Sequence, residues 1–453
     1  MVKSNDLTKG PVVGKMISLT APMVLGMFSM MAFNLVDAFF VSRLGTRHLA
    51  AMTFTFPVVM VVISIALGLG TGAASLISRV IGQGDIKRVQ RITTDSVILA
   101  LVLGAAFSAI GLLSMRYVFK AMGATPGMYR LIREYMTVWY LGVGFIVVPI
   151  TGNNAIRASG DTFLPGMVMA VASVLNAVLD PVMIFGLFGF PRLELAGAAL
   201  ATVTSRALTL IFAIYVLHFK KRMLSSVIPA FREMMHSCRE LLYVGLPASM
   251  TNILFAVTTG VITRIISVYG PGAVAAVGVG TRIESLVLML YFSMMTALVP
   301  FFGQNWGAGE IERVHEAQRK SMIFSVVYGA LAFFFFLLAG RSLGGIFSRE
   351  PYVVTGIYTF LVLNSFGYGA RGTCMISIAM LNAVNMPIRA TVLNLIRMFL
   401  LYIPLAYTGS RLLGYKGVFI GITAGNFIAA AVTLFWLKNI CMRCEMENYF
   451  SRR

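Results

Sequence analysis

Charge is scarce in this sequence. Only 12% of its 453 residues are charged, against 58% hydrophobic, and the mean hydropathy is +0.84. A soluble domain has about a quarter of its residues charged, so a water-exposed globule is excluded. Acids are scarcest, with 17 carboxylates against 37 Lys and Arg. Cysteine is nearly missing too, at Cys238, Cys374, Cys441 and Cys444 alone, which excludes a disulfide framework. Cys441 and Cys444 form a C-x-x-C near the end, but no second pair or His set accompanies them, so reduced thiols are expected. The four histidines are dispersed. No Walker A motif, His-Glu-x-x-His or Ser-His-Asp arrangement occurs, so neither an enzyme nor a cofactor or resident metal is expected.

Long apolar blocks fill the chain instead. About twelve are long enough to span a bilayer as helices, near 16–41, 51–78, 94–115, 131–155, 163–190, 196–217, 240–268, 273–301, 321–340, 353–381, 390–409 and 416–437. The ten-residue alternation of a membrane barrel is not there. The expected fold is therefore all-α and integral to the membrane. The first block is expected to be a span rather than a cleaved leader. Gly68-Leu-Gly-Thr-Gly72 lies inside an apolar span and reads as close helix packing, not a nucleotide loop.

The net charge of +20 follows the spans. Basic residues gather at Lys3, Lys9 and Lys15, at 79–91, at 220–239 and after Lys438. All these segments fall on one side if the spans alternate, and the positive-inside rule makes that side the cytoplasm. An inner-membrane protein with both termini cytoplasmic is expected, embedded in lipid, monomeric and without a nucleic-acid partner.

The chain also repeats itself. A shift of 225 residues lays Pro22 on Pro247, Gly45 on Gly270 and Thr71 on Thr296. It also lays Gly82-Gln-Gly-Asp-Ile-Lys-Arg-Val89 on Gly307-Ala-Gly-Glu-Ile-Glu-Arg-Val314. Each repeat holds six spans, an even number, so both enter from the same side. Two six-helix lobes related by a pseudo-twofold along the membrane normal are expected: 1–217, a cytoplasmic connection 218–239, and 240–453. Internal repeats of this kind mark secondary transporters working by alternating access.

Three carboxylates fall well inside spans: Asp37, Asp180 and Glu284. Asp95 and Glu134 lie near span ends, where a solvated position is expected. An acid at membrane depth is costly unless protonated, paired or facing water, so it marks function. Asp37 comes about 21 residues into span one and Asp180 about 17 into span five, which at about 1.5 Å per residue puts both at similar depth. On span five, Met169, Ser173, Asn176 and Asp180 share one helix face; Met30, Asn34 and Asp37 do so on span one. Two carboxylates in low dielectric do not both ionise cheaply, and such a pair takes up a proton as a unit. Sodium would be held by oxygens of Asp37, Asn176, Asp180 and Thr202. Glu284 is a candidate secondary acid. Pro22 removes a backbone hydrogen bond and is expected to kink span one below Asp37. Span one is also rich in flexible thioethers, and the expected lining of a substrate cleft is Met27, Met30, Asn34, Asn153, Met169 and Ser173.

Taken together, these features resemble the multidrug and toxic compound extrusion (MATE) family. The resemblance rests on the early prolines of spans one and seven and the Gly-x-Gly-acid loops after spans two and eight. It rests also on Ala158-Ser-Gly-Asp161, Leu175-Asn-Ala-Val-Leu-Asp-Pro181 and Gly197-Ala-Ala-Leu-Ala-Thr202. The acid of span one, with Asn and Asp in span five, is similar to the DinF-type branch. The NorM-type branch carries acids in spans seven and ten, and 241–268 and 353–381 hold none. The resemblance implies a cation-coupled antiporter, driven by protons with sodium as the alternative ion, exporting amphipathic and often cationic small molecules. The alternative is a flippase for lipid-linked precursors, which would use Arg264, Arg282 and Arg371 in its cleft.

Overall fold

The apolar blocks become helices whose breaks fall mostly at glycine and proline. The computed structural model describes residues 4–225 and 231–451, with side chains throughout except at Asn34 and 439–451. The side-chain expectations for Asn34, Cys441 and Cys444 therefore lie outside the described residues. The first repeat forms α1 (Val12–Ser42), α2 (Thr46–Gln83), α3 (Ile86–Ala121), α4 (Pro126–Leu141), α5 (Gly144–Ala158), α6 (Phe163–Phe185) and α7 (Glu194–Tyr215). The second forms α8 (Phe231–Ser267), α9 (Pro271–Gly307), α10 (Ile311–Phe347), α11 (Pro351–Phe366), α12 (Tyr368–Ala383), α13 (Pro387–Leu395) and α14 (Ile403–Ser451). Among the described residues there is no strand.

Among the described residues, nine helical stretches are long and apolar enough to cross a bilayer alone. Two further crossings are bent pairs, α4–α5 by 46° and α11–α12 by 54°. The last stretch, Pro387–Lys438, has 52 residues. At about 1.5 Å per residue it is more than twice the ~30 Å hydrocarbon core. Gly414, at φ 63° and ψ −146°, breaks it into two crossings. The total is the twelve expected, and the fold is all-α and membrane-spanning.

Three local expectations change. The single spans at 131–155 and 353–381 are broken helices, hinged at Gly142 and Gly367. Helix α8 starts at Phe231, inside the connection expected over 218–239. Asp95 is not solvated: it is fully buried in α3, with Arg91 3.5 Å away one helical turn earlier.

Packing divides the chain into two compact units, and their limits differ from 1–217, 218–239 and 240–453. The first is Met1–Ile253 with Thr296–Val314 and Asn382–Pro387; the second is Leu254–Met295, His315–Leu381 and Ile388–Arg453. The first unit gains its second-repeat segments because the repeated glycines interlock there. A Cβ on Gly82 would strike the backbone of Gln304, and one on Gly307 would strike that of Arg79. Under the 225-residue shift these are the same contact made twice, the self-complementary pattern of a twofold crossing. Gly84 and Gly309, both at φ 79°, turn the chain out of α2 and α9 in the left-handed region. Asp85 then caps α3 by accepting from the Arg88 amide at 3.0 Å. The Gly-x-Gly-acid motif thus combines a close crossing, a left-handed cap and a helix start.

A strap of residues before α1 ties this crossing together. Leu7 is buried; its amide donates to Gln304 Oε1 (3.2 Å), and its carbonyl accepts from Asn305 Nδ2 and Arg313 Nη2 (both 3.2 Å). Gln304 Nε2 donates to the Ala158 carbonyl at 2.9 Å, and Asn5 bonds to Ser159 and Gly160. Gly68 and Gly72 abut Gly245 and Leu241 of α8, the close packing expected of that stretch. Elsewhere the first unit is filled by Trp139, Tyr140, Met136 and Phe119. The second unit has its own core of Tyr291, Phe336, Phe360, Tyr368 and Phe419.

Candidate ion and substrate sites

In the first unit, α1 lies along α6. Pro22, inside α1, lacks the amide that would close its helical turn. Gly166 of α6 packs against that turn; a Cβ there would come within 2.5 Å of the Pro22 carbonyl oxygen. Gly26 faces Gly166 as well, at 3.0 Å from a notional Cβ to Cα. The two helices approach this closely only because neither glycine carries a side chain.

Further along the same pair lie the acids. Asp37 is 8% exposed; Asp180 and Asn176 are fully buried. Among the described residues neither carboxylate makes an ion pair. Asp37 Oδ1, both oxygens of Asp180 and both polar atoms of Asn176 are buried without a protein hydrogen-bond partner. The carboxylates are close enough for their charges to act on each other and on Tyr135, a buried phenol of α4. Uncompensated buried carboxylates cost several kcal/mol each as anions. The arrangement therefore favours a bound proton or a small cation. Thr202 of α7 is half-buried. One turn on, Arg206 places its guanidinium 5.8 Å from the Phe33 ring of α1.

The expected cleft residues divide between helices. Met27 and Met30 are half-buried on α1. Met169 lies beside Gly26, and Ser173 donates to the Met169 carbonyl at 2.8 Å. Asn153 is buried on α5 with Oδ1 unpartnered; α5 packs chiefly on α2, α3 and α7. So α1 and α6 bring together Asp37, Asn176 and Asp180, Met169 lies about three turns away beside Gly26, and Asn153 belongs to a different layer. Sequence reasoning missed Arg157, buried with Nη1 4.0 Å from Met23 Sδ, and Arg206. Their position inside apolar spans was the signal available for both.

The second unit treats its acid differently. Glu284 of α9 is paired with Arg371 of α12 at 3.1 Å, both side chains largely buried. It is a compensated charge, not a free acid. The pair faces a cavity of about 440 Å³ between α8, α9, α11, α12, α14 and the turn that follows α13.

Known proteins resemble this chain over its whole length. The MatE family model matches residues 22–182 and 247–408, one segment per repeat. The FAD transporter of Shewanella oneidensis is 33% identical over 97% of this chain and 98% of its own. The multidrug export protein MepA of Staphylococcus haemolyticus is 23% identical over 96% and 95%. The crystal structure of the Vibrio cholerae MATE transporter VcmN in the bent form superposes with a TM-score of 0.90 at 27% identity, covering 95% of this chain and 97% of that one.

Proposed function

Because the chain belongs to the MATE family of transporters, we propose that it is a cation-coupled antiporter of the DinF-type branch. The observation that carries this reading is the buried, unpaired Asp37–Asp180 pair with Asn176 between α1 and α6. Each time the pair is deprotonated in a low-dielectric site it costs free energy, and a proton or sodium ion removes that cost. Protons are the driving ion in this reading, binding from outside as substrate leaves. The protein works as a monomer in the inner membrane, with both termini cytoplasmic.

Amphipathic small molecules are the substrate class, and a flavin nucleotide is the leading member. Support comes from the 33% identity to the Shewanella oneidensis FAD transporter over nearly the full length, against 23% to MepA. Export of cationic drugs is the second reading, favoured by the multidrug relatives. A lipid-linked precursor fits less well, because Arg371 is already neutralised by Glu284. Proteoliposomes loaded with FAD test the proposal. Efflux against a concentration gradient should follow an imposed proton gradient and ignore a sodium gradient. Sodium-driven efflux, or none for FAD with efflux of a cationic dye, would replace the ion or the substrate.

A further inference from the structure

The cavity of the second unit is built by two helix irregularities. At Gly367 the chain bends between α11 and α12, and Arg371 lies on the first turn after the break, its amide bonded to the Gly367 carbonyl at 2.9 Å. Between α13 and α14, residues Ile396–Tyr402 form a π-helical turn, which brings Met398 and Tyr402 to the cavity wall. Broken helices and π-turns of this kind recur at binding sites. About 440 Å³ is within the range of small-molecule pockets. It has room for a planar ring system.

The lining has a specific character. Phe255, Phe292, Phe360, Tyr402 and Phe419 supply aromatic walls, surfaces on which a flat heterocycle stacks. Five hydroxyls also reach the wall, yet all bond within their own helices. Thr258 donates to Leu254 (2.9 Å), Thr259 to Phe255 (3.0 Å), Thr263 to Thr259 (2.9 Å), Thr281 to Gly278 (3.0 Å) and Ser285 to Thr281 (2.7 Å). Tyr402 donates its hydroxyl to Asn426 Oδ1, and Asn364 donates to the Phe360 carbonyl at 3.1 Å; the charged groups of the wall are the Arg371–Glu284 pair. Arg371 uses Nη1 on Glu284 Oε1, and a guanidinium has five N–H donors, so others are left. The carboxylate likewise keeps acceptor sites. Side by side, the pair offers a donor and an acceptor.

We propose that this cavity binds the imide edge of a planar heteroaromatic ring, and that Arg371 donates to a ring carbonyl while Glu284 accepts the neighbouring ring N–H. The pyrimidinedione end of a flavin carries that C=O/N–H pattern. The proposal rests on the flavin reading above and assigns the ring to the second unit, with the rest of the nucleotide outside the cavity. A charge pair whose partners already neutralise each other can accept a neutral ring without leaving a buried charge uncompensated.

Titration of the full-length protein in nanodiscs with lumiflavin, followed by quenching of flavin fluorescence, tests the cavity by itself. N3-methyllumiflavin, which lacks the imide N–H, is the paired probe. Lumiflavin should bind, and its N3-methyl analogue about tenfold more weakly, since the Glu284 acceptor is then left unpaired. Gly278→Leu fills the space, because a Cβ there meets nothing within 4 Å; this variant should remain folded and lose lumiflavin affinity about tenfold. No lumiflavin binding to the wild type, equal binding of both probes, or undiminished binding to Gly278→Leu would each overturn the assignment. FAD flux in proteoliposomes tests the flavin reading separately: lumiflavin binding without FAD flux leaves the cavity and removes the substrate, and the converse does the reverse.

Discussion

The two repeats share a backbone and differ in where they keep charge. Gly104 meets Gly144 across α3 and α5, and Gly329 meets Gly369 across α10 and α12, with notional Cβ to Cα distances of 2.9 and 2.7 Å. These four glycines are equivalent under the 225-residue shift, as are the hinges Gly142 and Gly367 and the crossing glycines Gly82 and Gly307. The polar groups do not follow. Asp37 and Asp180 fall on Ile262 and Leu405; Glu284 and Arg371 fall on Val59 and Ile146. One repeat holds two unpaired carboxylates, the other a neutral ion pair beside a cavity. Duplication kept the packing devices: a Cβ at Gly82, Gly104, Gly307 or Gly329 would strike neighbouring backbone. It left the polar positions free to diverge.

The largest expected effect would come from removing the unpaired acids. Asp37→Asn or Asp180→Asn should abolish gradient-driven export in a cellular efflux assay while leaving membrane insertion intact, since an amide mimics a permanently protonated carboxyl. Glu284→Gln should impair export in the same assay less than either, because both acids of the first unit remain, although Arg371 then loses its buried partner. Complete loss at all three positions would erase the distinction between the repeats.

The shared scaffold makes a more symmetric forecast. Gly104→Leu and Gly329→Leu should each destabilise the protein by ~1–3 kcal/mol through overpacking, read as similar drops in melting temperature. A large difference between them would show that the equivalence is one of sequence only. The smallest perturbation is a labelling experiment. Single cysteines in 79–92, 218–239 and 304–320 should react with an impermeant reagent only from the cytoplasmic side. The Gly82 and Gly307 contacts place the first and last of these loops side by side, so their labelling must agree even though Glu310, Glu312 and Glu316 dilute the basic charge of the last.

Span number, the repeat and the acids of the first unit were legible in the sequence because they depend on block length, even spacing and rare charge. The helix breaks were not. Hydropathy runs unbroken through Gly142 and Gly367, so two bent crossings read as straight ones. The partner of Glu284 lies 87 positions away, and no local pattern links residues at that distance. Asp95 sits near a span end, where exposure is the usual outcome, yet Arg91 on the preceding turn lets it be buried. The π-turn at Ile396–Tyr402 leaves no compositional trace at all. What escaped the sequence is spread over both units, at helix breaks and at charges whose partners decide their burial.

The most direct test of the account is a proton count. In weakly buffered detergent solution, a pH indicator records protons released when substrate is added to the purified protein. The wild type should release protons on substrate addition, and a double Asp37→Asn, Asp180→Asn variant that still binds substrate should release none. Equal release from both proteins would contradict the assignment of coupling to this pair.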